Sequence, residues 1–66
     1  MNVTINGMPH ELSDGTSLAT AVALLTRAGA GVAAAVNGAV VRRPDWGGTS
    51  LADGDSVEVL TAVQGG

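Results

Sequence analysis

The sequence closes with Thr61-Ala62-Val63-Gln64-Gly65-Gly66. The group in this run with most scope for chemistry is the terminal carboxylate of Gly66. Gly65 and Gly66 have no Cβ, so they can thread a channel too narrow for other residues. They also hold a backbone poorly, which suits a segment carried to another molecule better than the sealing end of a strand. A carboxylate is a poor electrophile until it is activated. Transfer to the α-phosphate of ATP would give an acyl-adenylate, which a sulfur or nitrogen nucleophile could then open. The expected organisation is a folded domain over 1–63 and a flexible Gly-Gly tail over 64–66.

The rest of the chain offers little chemistry of its own. It has no cysteine and no lysine, which excludes a thiol nucleophile, a thiolate metal site, a disulfide framework and a phosphate-binding loop of the lysine-containing kind. Gly29, Gly31 and Ala34 match a loose GxGxxA pattern. The context is reversed, however, because these glycines end a helical stretch and lead into a strand, whereas a dinucleotide site needs the opposite order. His10 is the only histidine, and no carboxylates stand at metal-ligand spacing around it. Ser13 and Ser17 are accounted for by turn and capping duties. Asp14, Asp53 and Asp55 fall at turns, where a short carboxylate supports the backbone. No catalytic residue, no metal site and no cofactor bound by this chain are therefore expected. The ATP needed to activate Gly66 must be handled by another protein.

At 66 residues the chain has room for one domain, close to the lower limit for a lone hydrophobic core. Phe and Tyr are absent and Trp46 is the single aromatic, so the core must be aliphatic and its stability modest. Trp46 reads either as an interface anchor or, preferably, as a lid over one end of that core. Six acids oppose three arginines for a net charge of −3. That balance excludes a phosphate-backbone partner such as nucleic acid and favours a basic protein partner. Arg42 and Arg43 either meet an acidic partner or solvate an edge strand. The opening lacks a basic stretch ahead of an apolar run, and the apolar run from Leu18 to Leu25 is too short to span a bilayer. No membrane partner and a cytoplasmic location are expected.

Stepping outward from the tail, the alternation of Met1, Val3 and Ile5 with Asn2, Thr4 and Asn6 predicts a strand. Asn6-Gly7 predicts a two-residue hairpin into a second strand that Pro9 assigns to an edge. Ser17 is the expected N-cap of a three-turn helix whose stripe is Leu18, Ala21, Val22, Leu24, Leu25 and Ala28, ending near Gly29 with Arg27 in its last turn. Residues 32–37 predict a strand with Val32, Ala34 and Val36 on one face. Asn37-Gly38 turns it into a return strand running to Arg43, stopped by Pro44. An irregular stretch and an Asp53-Gly54 turn lead to the last strand, 56–63. This order compresses into an α+β architecture of the β-grasp kind, a mixed sheet of four to five strands covered by one helix, with the first and last strands parallel at its centre.

With Val57 and Val59 turned toward the helix, Leu60 and Ala62 face the other way, beside Ala33 and Ala35. This small apolar patch close to the tail is the expected partner-docking surface.

The run VNGAVV, then Arg43 and Trp46, then LADGDSVEVLTAVQGG, resembles the ThiS family of bacterial sulfur carriers of thiamine biosynthesis, and the similarity extends through MNVTING and DGTSLATAVALL to nearly the whole chain. The resemblance implies a ubiquitin-like carrier that is not an enzyme. Its Gly66 is adenylated by a ThiF-like adenylyltransferase and converted to a thiocarboxylate, with sulfur coming indirectly through a cysteine desulfurase or sulfurtransferase. It further implies delivery of that sulfur to a ThiG-like thiazole synthase, where 1-deoxy-D-xylulose 5-phosphate and a glycine-derived imine become the thiazole ring. The glycine-rich GGTS after Trp46 and the absence of lysine depart from some relatives. Other readings stay open on sequence: a carrier serving molybdopterin, cysteine or secondary-metabolite synthesis, a ubiquitin-like protein modifier, or an interaction module with an inert tail.

Overall fold

The computed structural model describes residues 1–26 and 31–61. The alternating opening forms strand β1 (Asn2–Ile5), with Val3 and Ile5 buried. Asn6 and Gly7 follow at φ 53° and 81°, the left-handed pair that a two-residue hairpin requires. Strand β2 (Met8–Glu11) then returns antiparallel, with Met8 opposite Ile5 and Pro9 opposite Thr4 on the outermost strand. There the missing proline N–H removes nothing from the ladder.

Helix α1 (Leu18–Leu25) begins at Ser17, whose backbone is extended and whose hydroxyl accepts the Thr20 N–H at 3.2 Å. The next two elements repeat the hairpin device. Strand β3 (Val32–Val36) turns through Asn37 and Gly38, at φ 52° and 83°, into strand β4 (Ala39–Val41). A 3-10 turn (Arg43–Asp45) and a loop then lead to strand β5 (Ser56–Thr61). The sheet order is β2-β1-β5-β3-β4, with β1 and β5 parallel and the other pairs antiparallel. This is the expected β-grasp arrangement, and the last strand occupies the middle of the sheet.

The core lies between one face of that sheet and the helix. Ile5, Leu18 and Val57 are fully enclosed, joined by Val3, Ala21, Val22, Ala34, Val59 and Leu51. Trp46 is buried and closes the assembly. Its indole N–H donates to the Val41 carbonyl at 2.8 Å, and the Arg43 guanidinium carbon stands 5.2 Å from the ring centroid. The lid reading of Trp46 therefore holds. The glycine-rich segment after it is tied down by Thr49, whose hydroxyl donates to the Asp45 carbonyl at 2.7 Å.

Two expected boundaries move. The helix stops at Leu25, because Thr26 turns extended (φ −148°) while still donating its N–H to Val22. Arg27, Ala28 and Gly29 lie outside the described residues, and no basic residue stands in the last turn. Among the described residues of the expected stripe, Leu18, Ala21 and Val22 are buried, whereas Leu24 is 60% and Leu25 47% exposed. At about 100° per residue Leu24 falls well off the stripe centred on Leu18 and Val22, and Leu25, although on it, sits at the terminus.

Strand β4 likewise ends at Val41, not at Arg43. Pro44 is not its stop signal. It takes an early position of the 3-10 turn, where a fixed φ and a missing N–H are tolerated. The expected boundary between domain and tail at 63–64 lies outside the described residues.

Leu18 and Ala19 donate their N–H groups to the Thr49 and Trp46 carbonyls at 2.8 and 3.2 Å. With Thr20 held by Ser17, the first turn of α1 is satisfied by its own protein, so the cap does measurable structural service. Replacing Ser17 with alanine is expected to lower unfolding free energy by about 1 kcal/mol in urea titration. An unchanged midpoint would contradict the cap.

Candidate functional site

Strand β5 lies at the centre of the sheet, with β1 on one flank and β3 on the other. On one flank of β5, Asn6 and Thr4 donate their N–H groups to the Val57 and Asp55 carbonyls at 2.9 and 3.0 Å. On the other flank, β3 pairs along its whole length, from Val36 opposite Val57 to Val32 opposite Thr61. Val57 and Val59 point into the core, so Ser56, Glu58 and Leu60 must face the open side.

Cross-strand register gathers that open side into a patch. Leu60 stands opposite Ala33, Glu58 opposite Ala35, and Val40 of β4 opposite Ala35. Leu60 is 71% and Val40 79% exposed. With Gly38, these side chains line a shallow hollow of about 240 Å³, apolar apart from the Glu58 carboxylate. The structure thus brings together Leu60, Ala33 and Ala35 as the sequence expects and adds Val40 and Glu58 to them. Ala62, Gly65 and Gly66 lie outside the described residues.

Other candidates are used structurally. His10 sits half-buried on the edge strand opposite Val3. Among the described residues, no three His, Asp or Glu side chains gather as metal ligands. No described helix is long and apolar enough to cross a membrane. Asp14 accepts a hydrogen bond from the Met1 ammonium at 3.4 Å, and Asp53 accepts the Asn2 N–H at 2.6 Å. Asp55 accepts the Ala52 N–H at 2.8 Å and the Asn37 amide at 3.0 Å. The Ala52 N–H first, and the Asn37 amide second, hold its carboxyl below the usual carboxylate value, against a small opposing effect of burial.

The two turn asparagines carry a role that the Asn-Gly signal does not announce. Asn6 donates from Nδ2 to the Val59 carbonyl at 3.1 Å, and its Oδ1 accepts the Val59 N–H at 2.8 Å. At the other end of β5, the Asn37 Oδ1 accepts the Ser56 N–H at 2.9 Å, and the Asn37 N–H donates to the Ser56 carbonyl at 2.7 Å. The Asn6 carboxamide thus imitates a peptide group where the neighbouring strand has already turned away, whereas the Asn37 carboxamide supplies only the acceptor for Ser56 and spends its donor on Asp55. The sequence hint was the choice of asparagine over glycine at both first turn positions.

A compact β-grasp body with its last strand central is shared by many proteins, so sequence similarity must distinguish among them. The ThiS family model matches residues 3–66, nearly the whole chain. The chain belongs to the ThiS family. The crystal structure of a thiamine biosynthesis protein (ThiS) from Geobacter metallireducens is similar at TM-score 0.79 and 33% identity, covering 100% of both chains. An NMR solution structure of a thiamine biosynthesis protein from the same organism gives TM-score 0.80 and 33% identity over 100% of this chain and 88% of that one. Among curated proteins, none matches the sequence significantly. The ThiS match runs from β1 through β5 and onward to Gly66, so it takes in both the sheet and the segment that follows it.

The Asp55 contacts make a signed prediction about pH. Its carboxyl titrates lower in the folded state than in the unfolded one, so its stabilising contribution is complete above the ordinary carboxylate value and disappears as pH falls through the folded value. Urea titrations of wild type and Asp55→Asn should therefore differ at pH 7 and converge as the solution is acidified through the carboxylate range. A gap independent of pH would contradict the assignment.

Proposed function

We propose that this chain is a sulfur carrier of thiamine biosynthesis whose reactive atom is the carbonyl carbon of Gly66, and that it is the co-substrate of other enzymes and no catalyst itself. The observation that carries this reading is the ThiS match extending to Gly66 on a body whose central strand runs toward that end. Residues 62–66 follow Thr61; five residues reach at most about 18 Å when fully extended. That length suffices to insert a terminal carboxylate into a partner's active site while the sheet stays outside it.

The chemistry follows from the carboxylate. One of its oxygens attacks the α-phosphorus of ATP in a ThiF-like adenylyltransferase and pyrophosphate leaves. A sulfur nucleophile then adds to the activated carbonyl carbon, and AMP departs with the original oxygen. When the sulfur arrives as a persulfide through a cysteine desulfurase or sulfurtransferase, a thiol reductant must cleave the S–S bond to free the thiocarboxylate. A ThiG-like thiazole synthase is the recipient. ATP is a substrate of the activating enzyme, and this chain binds no cofactor.

The open face supports the same reading. Leu60, Ala33 and Ala35 form the docking surface for the partner, and Glu58 within it suits a basic group there. Leu60→Glu should weaken binding to the activating enzyme about tenfold, as removal of a central apolar anchor does, while thermal unfolding stays near wild type because Leu60 is exposed. Unchanged affinity would remove the docking assignment.

The decisive test is an intact mass after incubation with ATP, a ThiF-like enzyme and a sulfur source. Exchange of one C-terminal oxygen for sulfur is expected, and deletion of Gly66 should abolish it without altering thermal unfolding. Conjugates to other proteins would identify a modifier instead, and an unchanged mass with a competent enzyme would reject the carrier reading.

A further inference from the structure

The Asn6 carboxamide sits where the parallel pairing of the central strands runs out. Backbone pairing between β1 and β5 ends at Ile5 opposite Val57, because Asn6 enters the left-handed turn at φ 53°. Val59, two residues further along β5, would present an N–H and a C=O to a flank with no strand on it. Asn6 fills both, accepting at 2.8 Å and donating at 3.1 Å. This is the final stretch of β5 before residues 62–66, and the next side chain, Leu60, belongs to the open-face patch.

We infer that Asn6 is a positioning residue, its carboxamide fixing the exit of β5 so that Leu60 and the segment leading to Gly66 are presented together to the activating enzyme. This inference rests on the carrier reading above. Without the two bonds, the last residues of β5 are held from the β3 side alone, and a strand end paired on one edge frays more readily. The partner must then order that end at each encounter, which weakens binding and leaves the chemical step unaffected.

Asn37 provides the control. It has the same backbone conformation and also bonds β5 through its carboxamide, but at Ser56, the end remote from the tail. Asn6→Gly and Asn37→Gly each keep a residue that accepts positive φ, so each removes a carboxamide while preserving its turn. Asn6→Asp retains an acceptor for the Val59 N–H and loses the donor to its carbonyl.

Two readouts test the inference. In amide hydrogen exchange, Leu60 should exchange about tenfold faster in Asn6→Gly than in wild type, as the loss of two ordinary hydrogen bonds allows, and should hardly change in Asn37→Gly. With the ATP-dependent activating enzyme, KM for the carrier should rise about fivefold in Asn6→Gly at unchanged kcat, the pattern of lost binding, with Asn6→Asp intermediate and Asn37→Gly like wild type. Equal effects of the two glycine variants on KM, or no effect of either, would overturn the positioning role. Should wild type itself fail to be activated, the carrier reading falls, and the exchange comparison alone decides whether Asn6 fixes the end of β5.

Discussion

The pairing of β5 with β3 from Val57 to Thr61 and with β1 at Ser56 and Val57 is the constraint on which the rest of this structure depends. β1 and β3 are not neighbours in the sheet; each is hydrogen-bonded to β5 between them. Since the strand period is two, one register alone turns Val57 and Val59 to the helix while leaving Leu60 on the open side. A slip of one residue would bury Glu58 and Leu60 and expose both valines. The hydrophobic pattern therefore fixes in one step the core and the exposed patch. The asparagine carboxamides lengthen that pairing beyond the strands that provide it, at Ser56 and at Val59.

A body this small divides its labour. Aliphatic side chains, one tryptophan and two Asn-Gly hairpins are sufficient to hold five strands and two turns of helix. Asp14, Asp53 and Asp55 are occupied in turn contacts and Ser17 in a helix cap. In the reading proposed here, the reactive group is placed outside the fold, and enzymes with their own nucleotide sites supply the rest. The strands need only present a reproducible surface and a reproducible point of exit.

Much of this was legible in the sequence because its signals are local. Asn-Gly at 6–7 and at 37–38 demands left-handed backbone, Pro9 demands an edge, and Ser17 followed by an apolar stripe demands a helix start. What escaped was set by tertiary context. The end of α1 could not be read from composition, since Leu24 and Leu25 continue the apolar run although one lies off the buried stripe and the other at the helix terminus. Pro44 announces a break in either of two ways, and only the 3-10 turn anchored by Trp46 decides between them. The cross-sheet bonds of Asn6 and Asn37 join residues 53 and 19 positions apart in the chain, a separation at which no local pattern gives warning. Of the site, Leu60, Ala33 and Ala35 followed from strand alternation, whereas Val40 and Glu58 required the pairing register.

A structure of this chain bound to its ATP-dependent activating enzyme is the most direct test of the whole account. The account predicts that the enzyme covers Leu60, Ala33 and Ala35, that Leu60 still pairs with Ala33, and that the Gly66 carboxyl faces the α-phosphate of the nucleotide. An enzyme seated on the helix side, with Leu60 left in solvent and Gly66 remote from the nucleotide, would contradict it.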